Sequence, residues 1–207
     1  MSTLPIANLL IDLGGVLYEI DIETTVRQYN DMRKAGAPPV IFNKKTQHDY
    51  FSQLDCGQIE IDEFATGLKQ TYQLEGSIED IKSIWTSLLI GVLPGRIEAL
   101  QKLSPHYRLA LLSNTSRYHR DHYADECEPM FSLMDHLCYS FEMGLRKPGK
   151  EIYLQALETL GWKAEETLFL DDSKNNIDAA EALGFQTAWI REHDDFLTVV
   201  DGLLTKV

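Results

Sequence analysis

The sequence has little cysteine and little basic charge. Its three cysteines, Cys56, Cys127 and Cys138, are too few and too widely spaced for a disulfide framework or a metal knuckle. This pattern predicts a protein of the reducing cytoplasm. Acidic residues outnumber basic ones by 32 to 19, which gives a formal net charge of -13. Nucleic acid and anionic membranes are therefore not expected as partners, whereas a phosphorylated small molecule needs only one local cationic site.

Long hydrophobic segments are also missing. No apolar run is long enough to cross a bilayer, and the first eight residues, MSTLPIAN, lack the charged and apolar regions of a signal peptide. The chain has no internal repeat and no low-complexity segment. Its 207 residues suffice for one domain with a modest insertion or for two small domains. The sequence leaves both a monomer and a homodimer open.

The most informative stretch of the sequence is NLLIDLGGVLYEID at residues 8–21. Its apolar start predicts a buried strand that ends at Asp12. Gly14 and Gly15 follow, and glycines let the backbone turn and approach a ligand closely. Ligands bind at the carboxyl ends of strands in open α/β sheets, so Asp12 stands where chemistry is expected. The simpler alternative is a turn in which Asp12 only caps the backbone.

The segment after this stretch has helical periodicity and no convincing strand. It predicts four helices, at residues 22–34, at 46–54, from an N-cap at Asp62 to Tyr72, and behind a capping-box-like pair, Ser77 and Asp80. Phe64 and Trp85 are expected in the interior of this helical block.

Strands and helices alternate from residue 92 onward. The apolar runs predict strands at residues 108–113, 136–140, 167–170 and 186–190, with helices between them. This order implies a parallel sheet with right-handed crossovers. The predicted fold is α/β, a Rossmann-like parallel-sheet core of residues 1–19 and 92–207 with an inserted all-helical cap domain at 20–91. A polar, weakly helical stretch is predicted to carry His119 and His122 on an exposed face.

Three predicted strands end in polar residues, and these ends meet at one edge of a parallel sheet. The residues are Asp12, Ser113 with Asn114, and Asp171 with Asp172. A phosphate monoester would add about two negative charges to those of the three aspartates. Such a cluster needs cations, which Lys147 in the loop GLRKPG and a bound Mg²⁺ would supply. The residues themselves therefore predict a metal-assisted phosphoryl site.

These motifs resemble those of the haloacid dehalogenase (HAD) superfamily. The segments IDLGGVL, LLSNTS, RKP and FLDDSKNN occur in the order of its four motifs, and the helical insertion falls where its type-1 cap belongs. Within the superfamily, the chain is similar to the bacterial glucose-1-phosphate phosphatase-like branch, which is related to the phosphatase domain of soluble epoxide hydrolases. The resemblance implies a Mg²⁺-dependent phosphatase of a small phosphomonoester such as a sugar phosphate.

The resemblance also implies a role for each motif residue. Asp12 would be the nucleophile that forms a phospho-aspartate. Ser113, the backbone around Asn114 and the catalytic Lys147 would bind the phosphate. The metal ligands would be Asp12, the carbonyl of Gly14, Asp172 and, directly or through water, Asp171. The rival functions are a 2-haloacid dehalogenase, which needs no Mg²⁺, and a non-catalytic phosphosugar sensor.

The sequence departs from the superfamily at one position. Most HAD phosphatases carry a general acid and base two residues after the nucleophile, and this position is Gly14 here. The glucose-1-phosphatase-like branch also has glycine there. A positioned acid or base contributes about 10²–10⁴ in rate. Glu19 and Asp21, near the hinge of the cap, are the candidate substitutes, and Tyr18 and Arg117 are the candidate substrate contacts.

Overall fold

The centre of the molecule is a five-stranded parallel sheet. We describe it from a computed structural model of residues 5–42 and 49–205. The strands are β1 (Asn8–Ile11), β4 (Arg108–Ser113), β5 (His136–Tyr139), β6 (Thr167–Asp171) and β7 (Gln186–Trp189). Their spatial order is β5-β4-β1-β6-β7. Strand β1 lies in the middle and is fully buried. The predicted α/β fold class is confirmed.

Helices cover both faces of this sheet. Leu9 and Ile11 belong to one hydrophobic cluster, and Leu10, which points to the opposite face, belongs to another. The first cluster includes residues of α5 (Arg96–Leu103), α6 (Arg117–Phe131) and α10 (His193–Leu204). The second includes residues of α8 (Lys150–Leu160) and α9 (Lys174–Ala182), and the short α7 (Ser140–Met143) follows β5. The unbroken apolar runs of the strands are explained by this burial on both faces.

A matched pair of leucines tests the core. Leu100 in α5 is 0% exposed, whereas Leu154 in α8 is 49% exposed. We expect Leu100→Ala to lower the free energy of unfolding by about 2–5 kcal/mol, because it removes buried methyl groups and leaves a cavity. Leu154→Ala should change it by less than about 0.5 kcal/mol. Urea unfolding followed by circular dichroism measures both, and equal losses would contradict the described packing.

The segment after β1 forms a helical layer with its own core. Its helices are α1 (Ile22–Asp31), α2 (Asp49–Asp55), α3 (Ile61–Tyr72) and α4 (Ile78–Thr86). Phe64 and Trp85 are buried in the cluster between them, as predicted. The capping box of Ser77 and Asp80 is also confirmed. The predicted start of the second helix at residues 46–48 lies outside the described residues.

The predicted N-cap of the third helix is wrong. Helix α3 begins at Ile61, with Glu60 as N-cap, so Asp62 is not the cap. Asp62 lies in the first turn, where the helix dipole favours a carboxylate, and it pairs with Lys82.

The prediction that this segment contains no strand is also wrong. Strand β3 (Leu89–Val92) pairs antiparallel with β2 (Tyr18–Ile20), and this two-stranded ribbon joins the helical layer to the sheet. Glu126 of α6 holds both strands, because its carboxylate accepts hydrogen bonds from the Tyr18 hydroxyl and the Val92 N–H, each 2.9 Å long. Within the described residues, we find no helix with the length and apolar character needed to cross a bilayer.

Candidate active site

Three carboxylates meet at the carboxyl edge of the sheet. Asp12 follows β1 directly, Asp171 ends β6, and Asp172 follows it. One oxygen from each of these side chains lies within 4.8 Å of the others. Carboxylate oxygens are the ligands that Mg²⁺ prefers, so the donor set fits a divalent cation of this kind. The convergence predicted from the strand ends is thus observed.

A buried lysine reaches the same cluster. The Nζ atom of Lys147 lies 2.9 Å from Asp12 Oδ1 and 2.7 Å from Asp171 Oδ2, and it donates a hydrogen bond to the Leu112 carbonyl at 2.7 Å. Burial disfavours the charged form of Lys147, but the attraction of Asp12 and Asp171 outweighs it and raises the pKa of the amine. Lys147 is therefore an ammonium group at neutral pH.

The protonation of Asp12 depends on the same neighbours. The pKa of Asp12 is raised to about 7, mainly because the group is buried; Lys147 opposes the rise, and the carboxylates of Asp171 and Asp172 add to it. The Asp12 Oδ1 atom also accepts a hydrogen bond from the Leu13 N–H at 2.8 Å, which fixes the plane of the carboxylate. A divalent cation at this position would favour the ionised form that a nucleophile needs.

The two neighbouring aspartates are held differently. Asp171 is 0% exposed, and its oxygens accept hydrogen bonds from Lys147, from the Ser173 N–H and from the Asn176 amide. Asp172 instead lines a cavity of about 330 Å³. Asp171 therefore holds Lys147 in place, whereas Asp172 borders the cavity in which a ligand would bind. Sequence reasoning missed Asn176, although it stands within the quoted motif FLDDSKNN.

The residues after β4 position the lysine loop. The Asn114 amide donates to the Lys147 carbonyl at 2.9 Å and accepts from the Lys147 N–H at 2.8 Å. Asn114 also lines the cavity. Ser113 is buried and lines a smaller neighbouring cavity of about 70 Å³, together with Gly14 and Thr115. The strand ends thus bring Ser113, Asn114 and Lys147 to one edge, as the sequence predicts.

Two adjacent glycines have different structural requirements. Gly15 has a φ of +80°, and a methyl group added to it would overlap Asp172 Oδ2. Gly14 has no positive φ, and an added methyl group would lie 3.1 Å from Cδ1 of Ile20, the end of a flexible side chain. Ile20 therefore fills the space in which a side chain at residue 14 would begin.

This difference predicts opposite outcomes for the two alanine substitutions. We expect Gly15→Ala to lower the rate of phosphate release by roughly 10²-fold, because it displaces Asp172 and strains the backbone. Gly14→Ala should change this rate by only a few-fold. Steady-state rates at increasing Mg²⁺ concentration measure both, and a greater loss for Gly14→Ala would contradict the described packing.

The cavity lies between the sheet edge and the helical layer. Asp12, Asp172 and Lys147 bound it on the sheet side. The opposite wall comes from the helical layer and the ribbon, and it includes Ile20, Ile22, Phe42, Ser52, Asp55, Trp85 and Leu88. Any leaving group of a phosphate bound at the sheet edge would therefore meet side chains of the helical layer.

Four residues singled out from the sequence do not line this cavity. The hydroxyl of Tyr18 donates to Glu126, and the guanidinium of Arg117 lies 5.2 Å above the ring of Phe141. Of the two candidate acids, Glu19 is exposed in the ribbon, and Asp21 caps α1 by accepting a hydrogen bond from the backbone of residue 24 at 2.9 Å. None of these contacts places the side chain against a ligand in the cavity.

The position of His119 differs from the predicted one, because its side chain is buried and not exposed. The expectation of an exposed helix face holds for His122 but is wrong for His119, which is 4% exposed and lines the cavity. Its ring stacks on Trp85 at 4.7 Å between centroids, and Nε2 lies 3.0 Å from the Trp85 carbonyl. Burial lowers the pKa of His119 to about 4. The signal was present in the sequence, because His119, Tyr123 and Cys127 recur at helical spacing on the buried face of α6.

Comparison with known proteins identifies the family. Residues 6–184 match the family model of the haloacid dehalogenase-like hydrolases. The chain belongs to this family. The superfamily predicted from the four motifs is therefore confirmed.

Relatives of this HAD hydrolase cover nearly its whole length. It is 29% identical over 187 residues to the D-ribitol-5-phosphate phosphatase of Bacteroides thetaiotaomicron, with 88% of this chain and 90% of that protein covered. A HAD family enzyme from the same organism, solved in complex with magnesium and inorganic phosphate, is 30% identical with a TM-score of 0.74, covering 89% of this chain and 93% of that one. A predicted HAD-like family hydrolase from Porphyromonas gingivalis is 29% identical with a TM-score of 0.82, covering 97% and 98%. These findings agree with the predicted enzyme class, a phosphoric monoester hydrolase, and with the predicted cofactor, Mg²⁺.

Proposed function

We propose that this protein is a Mg²⁺-dependent phosphatase that hydrolyses the phosphate monoester of a small sugar or sugar alcohol. The observation that carries the proposal is the cluster of Asp12, Asp171 and Asp172 around the buried Lys147, at the end of a cavity of about 330 Å³. The similarity to a D-ribitol-5-phosphate phosphatase supports a polyhydroxylated substrate.

In the proposed reaction, an Asp12 carboxylate oxygen attacks the phosphorus atom, the bond from phosphorus to the leaving oxygen breaks, and the leaving oxygen takes up a proton from solvent and departs as an alcohol. A water molecule then cleaves the phospho-aspartate, which releases inorganic phosphate and regenerates Asp12. Lys147 neutralises the negative charge on Asp12 and on the phosphate oxygens. Ser113 and the backbone near Asn114 bind further phosphate oxygens. Charge neutralisation and positioning are most of what phosphoryl transfer requires of a protein.

The proposed metal site consists of Asp12, Asp172 and the carbonyl of Gly14. Asp171 acts next to it, directly or through water. Bound Mg²⁺ supplies positive charge that offsets the phosphate oxygens and the carboxylates. The hydrogen bonds of Asp171 to Lys147 and Asn176 support its assignment as the residue that orients the cluster rather than as the main ligand.

We also propose a division of labour between two domains. Residues 1–19 and 92–207 form the catalytic core, and residues 20–91 form the cap that contacts the leaving group. The cavity walls support this division, because the sheet edge provides the acidic cluster and the helical layer provides Ser52, Asp55 and Trp85.

A substrate panel tests the proposed function. We expect Mg²⁺-dependent phosphate release from alditol and aldose phosphates, including ribitol 5-phosphate, and no halide release from 2-haloacids. Halide release that persists in EDTA would favour the dehalogenase instead. Thermal stabilisation by these phosphates without turnover would favour the phosphosugar sensor.

A further inference from the structure

A third carboxylate faces the ligand space from the helical layer. Among the described residues that line the main cavity, Asp55 is the one carboxylate besides Asp12 and Asp172. It ends α2 and is 9% exposed. Its Oδ2 atom lies 3.3 Å from Nη2 of Arg146. Arg146 precedes Lys147 in the loop that carries the catalytic lysine, so the ion pair connects the helical layer with the sheet edge.

Two nitrogen donors of residues that line the cavity lack a partner. Within residues 5–42 and 49–205, Nε of Arg146 and Nε1 of Trp85 are buried and make no hydrogen bond. Both residues line the cavity. Leaving a buried N–H without an acceptor is unfavourable, so such groups are normally paired with protein, water or ligand. The cavity lining therefore includes two residues with an unpaired N–H donor, and one of them, Arg146, is paired with the Asp55 carboxylate through Nη2.

We infer that Asp55, Arg146 and Trp85 form a hydroxyl-binding subsite that selects a polyhydroxylated leaving group. An alcohol group donates one hydrogen bond and accepts others, so it can donate to the Asp55 carboxylate and accept from an N–H of Arg146 or Trp85. An alkyl or terpenoid leaving group can do neither and would leave these groups unpaired. The inference rests on the proposed phosphatase function and specifies its substrate class.

The ionisation of Asp55 suits this role. Burial raises the pKa of Asp55 to about 6, against the attraction of Arg146, so the carboxylate is mostly ionised above neutral pH. Hydrogen bonds to a charged acceptor are stronger than those between neutral groups. A site built to bind substrate hydroxyls discriminates strongly against analogues that lack them.

The test compares three esters in the presence of saturating Mg²⁺. They are ribitol 5-phosphate, 1-pentyl phosphate, which lacks the hydroxyls, and p-nitrophenyl phosphate, which has an activated leaving group. For Asp55→Asn we expect the ratio of kcat/KM for ribitol 5-phosphate to that for 1-pentyl phosphate to fall at least tenfold, mainly through a higher KM. Asp49→Asn removes the same charge from an exposed position of the same helix and should leave the ratio unchanged.

The outcomes separate this inference from the proposed function. A ratio that stays within twofold overturns the subsite, whether or not all rates fall together. If the wild type releases no phosphate from any ester, including p-nitrophenyl phosphate, the proposed function itself has failed. If Asp55→Asn does not fold, Arg146→Lys provides the second test, because lysine keeps the charge but lacks Nε. The same fall in the ratio is then expected, and an unchanged ratio overturns the inference.

Discussion

Replacing Asp12 with asparagine is expected to lower the rate of phosphate release by roughly 10⁴-fold or more, because the amide cannot form the covalent bond to phosphorus. The fold should persist. Asparagine keeps an oxygen at the position of Oδ1, which accepts the Leu13 N–H and lies 2.9 Å from the Lys147 amine. Steady-state phosphate release at saturating Mg²⁺ measures the loss.

The control for this substitution is Asp201→Asn, which removes a carboxylate from an exposed position of α10. Its rate should match that of the wild type. Circular dichroism and thermal unfolding should show that both variants are folded. Turnover of Asp12→Asn within tenfold of the wild-type rate would remove Asp12 as the nucleophile.

Withdrawing Mg²⁺ with excess EDTA is expected to abolish phosphate release. Asp12, Asp171 and Asp172 place three carboxylates near one another, and Lys147 compensates only one of their charges. The dianionic phosphate of a substrate would add about two more negative charges. Without a divalent cation the substrate is repelled from the site.

The metal site itself is tested with Asp172→Ala. We expect the Mg²⁺ concentration for half-maximal activity to rise roughly 100-fold, since even substitutions that only support a ligand cost about 10–100-fold in metal affinity. Asp178→Ala, at an exposed position of α9, is the matched control. Titration calorimetry should show the same loss of Mg²⁺ binding in the absence of substrate. Full phosphate release after dialysis against EDTA would contradict the metal assignment.

The parallel sheet and its catalytic edge could be predicted because they depend on local sequence. Unbroken apolar runs identify strands that are buried on both faces, and polar residues directly after them fall at one edge. Asp12 and Asp171 were found in this way, and Lys147 was found from the charge balance of the acidic cluster. Lys147 places its positive charge between Asp12 and Asp171, so the chain has a local cationic group at this edge despite its net charge of -13.

Contacts between distant segments could not be predicted in this way. Strand β3 is short and only partly buried, and it forms because residues 18–20 pair with it from across the helical insertion. The ion pair of Asp55 and Arg146 joins residues 91 positions apart. No local periodicity marks either residue as part of a cavity. The wall that faces the leaving group therefore becomes visible only when the helical layer packs over the sheet edge.

The central claim is that the phosphoryl group passes through Asp12. Its most direct test mixes the wild-type enzyme with Mg²⁺ and excess ribitol 5-phosphate, quenches the reaction within one turnover and reduces the protein with borohydride. Reduction converts a phospho-aspartate to homoserine, which peptide mass spectrometry locates. We predict homoserine at position 12, dependent on substrate and on Mg²⁺. Phosphate release with an unmodified Asp12, or with homoserine at position 172 instead, would contradict the account.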